Sequence, residues 1–297
     1  MKIIDVHTHG IGGYDTRTTS EDHILHMAEI HGSCGVSEIV PTVYPSSIES
    51  MRENMLAIKE AIKIQGSGIR GQGPAGESSK AEARILGAHL EGPFLNPSKC
   101  GALDAASFLT PHKDSLIKLI DGFEDIIKII TIAPELEGAV NIIHELSDKG
   151  IIASMGHSEA SYAEAEAGFH AGARGITHIF NAMSGIHHRE PGLAGFGLMN
   201  QEIYIEVIAD PFHLDPKFME FIFSVKNPER IIIISDTVKA STSPSAPHGI
   251  RNKGHKLLGG SMSITESAGR LIKAQMSAPT VKKAVSENPE RYLAIYG

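Results

Sequence analysis

The sequence predicts an α/β protein, a closed (β/α)₈ TIM barrel, on three observations. Eight short, strongly apolar, β-branched runs recur along its 297 residues. Segments of helical spacing lie between most of them. The residues able to do chemistry gather at the C-terminal ends of the apolar runs, where such barrels carry their sites. A doubly wound open sheet is the competing reading, and eight runs with polar ends favour the barrel.

The runs are "KIIDVHTH" (2–9), "SEIVPTV" (37–43), "RILGAHLEG" (84–92), "IIKIITIAPE" (126–135), "GIIASMGHS" (150–158), "GITHIFNAM" (175–183), "IYIEVIAD" (203–210) and "RIIIISD" (230–236). Each is bounded by polar residues, Gly or Pro, as buried parallel strands are. Helical segments follow at 20–32, where Ser20 is placed to cap, and at 47–64, 135–150, 158–172 and 215–225. Lys149-Gly150 reads as a helix stop. The Gly- and Ser-rich stretch 66–83 has no apolar period and reads as a flexible surface loop within one catalytic domain spanning 1–297.

Composition narrows the function. The chain is 41% hydrophobic and 21% charged, with net charge −8, which speaks against a nucleic-acid partner. No apolar run approaches the ~20 residues of a membrane helix, and the N-terminus is not a signal peptide. Two cysteines, Cys34 and Cys100, make no disulfide framework, so the expected compartment is the cytoplasm.

The strand ends carry the chemistry. The first run ends in Asp5, His7 and His9, the third in His89 and Glu91, the fifth in His157, the sixth in His178 and the eighth in Asp236. Strand alternation puts His7 and His9 on one face, and likewise His89 and Glu91. Taken singly these residues read as turn, cap or paired core groups. Taken together, ligand-type residues at the ends of five strands point to a divalent metal site, because unpaired buried charge is costly. Nitrogen and oxygen ligands without cysteine suit Zn²⁺, and Fe²⁺, Mn²⁺ or Co²⁺ fit as well.

Five blocks then resemble the N-acetylglucosamine-6-phosphate deacetylases of the amidohydrolase superfamily: "HLEGPFLNPSKCGA" (89–102), "GHSEA" (156–160), "THIFNAMSGIHHREPGLAG" (177–195), "IADPFH" (208–213) and "SDTVKA" (235–240). The resemblance runs from residue 1 to about 294, where "SENPERYLAI" looks like a final barrel helix. It implies a metal-dependent amidohydrolase barrel with Glu91, His157 and His178 as primary metal ligands. It implies that His7 and His9 offer a second metal position, so that one or two ions bind. Asp236 matches the general base and His213 a substrate-contacting histidine. Asn181 and the Ala182 backbone match a phosphate and sugar loop. Arg189, with His188 beside it, matches an arginine that reaches the phosphate from the neighbouring subunit of a homodimer. Pro191 reads as the first residue of a helix there.

The chain departs from the pattern in three places. Leu103 stands where a polar, sugar-contacting residue is usual. Pro211 replaces a glycine in the loop carrying His213, which stiffens it. The chain starts on the first strand and stops at Gly297, so the resemblance implies a barrel without the small β domain of relatives. The expected reaction is hydrolysis of the acetamide of an amino-sugar phosphate, N-acetylglucosamine 6-phosphate foremost. The alternatives are an amidohydrolase acting on another N-acyl sugar or amino compound, a TatD-type metal phosphoesterase, and a barrel retired to a non-catalytic role.

Overall fold

Asp5 Oδ1 accepts the Ser235 N–H at 3.2 Å, joining the first apolar run of the chain to the last. The computed structural model describes residues 1–67, 81–242 and 249–296. The barrel strands are β1 (Ile4–Thr8), β2 (Glu38–Val43), β3 (Ala88–Glu91), β4 (Ile127–Ile132), β5 (Ile152–Met155), β6 (Gly175–Ile176), β7 (Tyr204–Ile208) and β8 (Ile231–Ile234). They are hydrogen-bonded in chain order and all pairs are parallel. Between β8 and β1 the seam is carried by Asp236 N–H to His7 O at 2.9 Å and His9 N–H to Thr237 O at 2.8 Å. All eight apolar runs therefore hold strands of a nearly closed barrel.

The helices follow in register: α1 (Glu21–Ser33), α2 (Ile48–Gly66), α3 (Lys113–Ile120), α4 (Ala139–Asp148), α5 (Tyr162–Ala171), α6 (Gly192–Met199), α7 (Pro216–Val225), α8 (Ile264–Lys273), α9 (Ala278–Val285) and α10 (Glu287–Leu293). Ser20 occupies the cap position of α1, but its side chain makes no capping bond. Ser161 caps α5 with a reciprocal Glu164 bond, a full capping box. Pro191 is the residue before α6, one position earlier than expected. Of the expected loop at 66–83, residues 68–80 lie outside the described residues. Gly66 ends α2, and Ala83 is already fixed to Ala28 O at 2.9 Å. No helix among the described residues is long and apolar enough to cross a membrane.

Two apolar layers follow from the alternation. One lies between helices and barrel; the other fills the barrel interior with Ile4, Val6, Val40, Ile129, Ile152, Tyr204, Ile208, Ile232 and Ile234. Tyr292 of α10 plugs that interior from below. A Cβ on Gly175 would stand 2.0 Å from the Tyr292 hydroxyl, so only glycine fits there. Toward the other end the filling turns polar. His89 Nε2 meets Thr131 Oγ1 at 2.8 Å, Thr131 meets Thr177 at 2.9 Å, and Thr177 donates to Ser154 at 2.7 Å. Apolar packing thus stops one layer short of the mouth, where the polar strand ends converge.

Candidate active site

The pairing of β1 with β2 shifts register between Asp5 and Thr8. Strict alternation from inward-facing Ile4 and Val6 would turn His7 outward. The irregularity resets the phase, so His7 and His9 both face the interior while Thr8 bonds His31 of α1 at 3.0 Å. His157, His178 and Asp236 arrive by a shared device. Each stands two residues beyond the last residue of its strand, and each has positive φ, 47°, 29° and 48°. Non-glycine residues held there cost of order 1–3 kcal/mol each. The expected run 175–183 accordingly contains only two strand residues, because Thr177 onward turns over the barrel mouth, with Phe180 and Ala182 also at positive φ.

Glu91 is the hub. Its Oε1 lies 3.0 Å from His157 Nε2, 3.0 Å from His178 Nε2 and 3.7 Å from His7 Nε2; its Oε2 lies 3.1 Å from His9 Nε2. Asp236 Oδ1 is 3.4 Å from His7 Nε2 and 3.6 Å from His9 Nε2. The group thus forms two trios, Glu91–His157–His178 and His7–His9–Asp236, whose ligand atoms each lie within 4.8 Å of one another.

The donor set fits divalent metal. His157 and His178 bring Nε2 atoms within 3.2 Å of each other, and His7 and His9 within 3.3 Å. Ligands arranged tetrahedrally about Zn²⁺ at about 2.1 Å stand about 3.4 Å apart. Three of the four far nitrogens have acceptors: His157 Nδ1 donates to Lys99 O at 2.8 Å, His9 Nδ1 to Thr42 O at 2.9 Å and His7 Nδ1 to Glu206 Oε2 at 3.1 Å, whereas His178 Nδ1 is buried with no partner among the described residues. With the proton held on Nδ1, the Nε2 lone pairs of His7, His9 and His157 face the cluster, the arrangement of metal-ligating histidine.

Charge is distributed unevenly. Burial, then the neighbouring histidines, holds His7 well below the usual imidazole range despite the pull of Glu91. Burial pushes the Glu91 carboxyl up, but His157 and His9 outweigh it and the net shift is downward. Asp236 is pushed well above the carboxylate range by burial and by Glu91. The two carboxyls are therefore shifted in opposite directions.

The cavity above the cluster is lined by Tyr44, Leu103, Asn181, Ala182, His213 and Leu258 together with His9, Glu91, His157, His178 and Asp236. Ala182 N–H has no acceptor among the described residues, whereas its carbonyl accepts from Ser158 N–H at 3.2 Å. Tyr44 stacks on His9 with centroids 3.9 Å apart, and Arg17 covers the Tyr44 ring. His188 and Arg189 are not brought to this cavity. They sit exposed on the turn before α6, bonded to each other at 2.8 Å.

No protein-family model matches the chain. Individual relatives do. The N-acetylgalactosamine-6-phosphate deacetylase of Escherichia coli O157:H7 is 28% identical over 99% of this chain and 78% of its own length. The N-acetylglucosamine-6-phosphate deacetylase of Bacillus subtilis is 33% identical over 80% of this chain and 57% of its own. The chain is similar to amino-sugar-phosphate deacetylases along nearly all of its length. A Mycobacterium smegmatis deacetylase variant, solved in complex with N-acetyl-D-glucosamine-6-phosphate, superimposes with TM-score 0.84 at 25% identity, over 99% of this chain and 77% of that one.

The departures of the chain from the deacetylase pattern have clear places. Leu103 lines the cavity wall. The Pro211 loop is pinned by Asp210, whose Oδ1 accepts from Phe212 N–H, His213 N–H and His213 Nδ1, all at 2.9 Å. Its Oδ2 accepts from Ser261 N–H at 3.0 Å. Asp210 and Glu206 were missed as functional residues in the sequence. Asp210 was visible as the next strand-end carboxylate, two residues beyond β7, but Glu206 sits inside an apolar run and gave no signal. The Gly259–Gly260 pair was missed too. A Cβ on Gly260 would lie 1.8 Å from Ser235 O, and its N–H bonds the Asp236 carbonyl at 2.6 Å, so the glycine lets the chain buttress the turn that presents Asp236.

Proposed function

We propose that this chain is a metal-dependent C–N hydrolase that converts N-acetylglucosamine 6-phosphate to glucosamine 6-phosphate and acetate. The observation that carries the reading is the pair of histidine–carboxylate trios joined through Glu91 under a cavity edged by Asp236 and His213. In this reading Glu91, His157 and His178 hold one divalent ion, and His7 and His9, beside Asp236, hold a second. Zn²⁺ is favoured, with Fe²⁺, Mn²⁺ or Co²⁺ compatible. The barrel carries these groups, and the compartment proposed for it is the cytoplasm.

When bound, the ion supplies Lewis acidity toward the amide carbonyl and lowers the pKa of water in the site. The protein's groups do the rest. Asp236 takes a proton from the water that attacks the carbonyl carbon and returns it to the nitrogen as the C–N bond breaks. Asp210 fixes His213 through Nδ1, leaving Nε2 for the substrate. As an imidazolium, His213 donates to the developing oxyanion; as neutral imidazole, it accepts from a sugar hydroxyl. Asn181 and the free Ala182 N–H receive the phosphate end. His188 and Arg189, exposed here, complete that end from the second subunit of a homodimer, since guanidinium is a forked phosphate donor.

The test is an acetate-release screen over N-acetylated amino sugars, with and without 6-phosphate, on metal-quantified protein. It includes the C4 epimer, because one of the relatives that match 99% of this chain carries the galactosamine name. Turnover confined to 6-phosphates supports the proposal. Turnover only on other amides moves the substrate, and none on any amide removes the hydrolase reading.

A further inference from the structure

Strand β7 reads "YIEVI", and its central Glu206 is fully buried inside the barrel. Tyr204, Glu206 and Ile208 share the inward face, so a carboxylate stands in a row that otherwise fills the apolar interior. Such a group is expensive to bury without a task. Its Oε2 accepts from His7 Nδ1 at 3.1 Å, with both side chains at 0% exposure. The other nitrogen of His7 is the one that faces His9, Glu91 and Asp236, at 3.3, 3.7 and 3.4 Å. The wall behind His7 is completed by His89, whose ring meets it edge-on at 4.6 Å and whose own nitrogens contact Val6 O and Thr131 Oγ1.

We propose that Glu206 is a positioning residue for a second divalent ion: it fixes the His7 ring and keeps its proton on Nδ1, so that Nε2 joins that of His9, beside Asp236, as a ligand. The inference rests on the metal-dependent reading of the same site. A carboxylate behind a ligating histidine fixes its tautomer and raises its basicity, and removing one costs about 10–100-fold in metal affinity. The trio His7–His89–Glu206 also has metal-ligand composition. A third ion there would have to part the His7–Glu206 hydrogen bond in a place with no exposure, and His7 would have to bridge two ions as an imidazolate. The hydrogen-bonded arrangement needs neither.

The experiment is Co²⁺ titration of the metal-stripped full chain against a competing chelator, followed by Co²⁺ absorption and by metal content of dialysed protein. Wild type should bind two ions per chain. Glu206→Leu should weaken the second ion about 10–100-fold, and lose its absorption band, while the first keeps its affinity. Glu206→Gln keeps an acceptor oxygen without the charge, so its loss should be smaller; this variant decides if the leucine variant does not fold. An unchanged second ion in the folded variants, an equal loss of both ions, or a third ion in wild type overturns the inference. One ion in wild type also overturns it but leaves the hydrolase reading standing, whereas no ion removes both.

Discussion

His157 and His178 direct their Nε2 atoms onto one oxygen of Glu91, each at 3.0 Å, while standing 3.2 Å from each other. Two imidazoles this close cannot both present protons to one another, so the contact makes sense as a ligand set. Glu91 also reaches His9 with its other oxygen at 3.1 Å. Glu91→Gln should therefore lower the metal content of purified protein by about an order of magnitude or more, since a charged ligand is replaced by a neutral one. Elemental analysis after dialysis reads this directly, and full retention of metal would show that Glu91 is not a ligand.

Asp236 separates two roles. It lies at the edge of the His7–His9 pair but outside the Glu91–His157–His178 trio. Asp236→Asn should reduce kcat by about 10²–10⁴-fold, the usual size of a lost general base. The ion in the Glu91 trio should stay. Steady-state kinetics paired with metal analysis checks both halves, and loss of that ion alongside activity would make Asp236 mainly a ligand.

Asp210 holds His213 and Ser261 together, and the charge of His213, with these hydrogen bonds, outweighs burial to draw its pKa down to about 2. Asp210→Asn should cut kcat/KM about 10–100-fold through a misplaced His213, comparable to other orienting residues. It should also destabilise the fold by about 1–3 kcal/mol, because buried donors lose an ionised acceptor. Metal content should not change. Urea unfolding and kinetics on one preparation test this, and unaltered kcat/KM would remove His213 from substrate contact.

His31 gives a pH signature away from the cavity. It is fully buried on α1, bonded through Nε2 to Thr8, and burial lowers its pKa to about 4. Above about pH 6.5 neither folded nor unfolded chain is protonated there, and stability is complete. As pH falls below 6.5 the unfolded chain gains a proton that the folded one refuses, so stability is lost until about pH 4. Between pH 7 and 4.5 this group alone accounts for about 2.5 kcal/mol. Metal-free His31→Gln should lose correspondingly less stability than wild type across that interval in guanidinium titrations. Equal losses would show that His31 takes up its proton in the folded state.

The strands were legible because each is a dense β-branched run, and the cluster was legible because its members end those runs. Helix α6 was not. "GLAGFGLM" is apolar all round, since it is buried on nearly every side, and so shows no amphipathic period. Glu206 was hidden for the opposite reason: one polar letter in "IYIEVIAD" does not reveal that it faces a histidine 199 positions earlier. The irregularity in β1 was also silent, although His7 points inward only because of it. Tyr44 and the Gly259–Gly260 buttress are contacts between distant segments, which spacing along the chain does not encode.

The most direct test measures acetate and free amine released from N-acetylglucosamine 6-phosphate by protein of known metal content, before and after chelation and again on adding Zn²⁺. Equal release of the two products, loss on chelation and recovery on adding Zn²⁺ is the expected result. Metal-loaded, folded protein that releases neither product from this sugar phosphate would contradict the central claim.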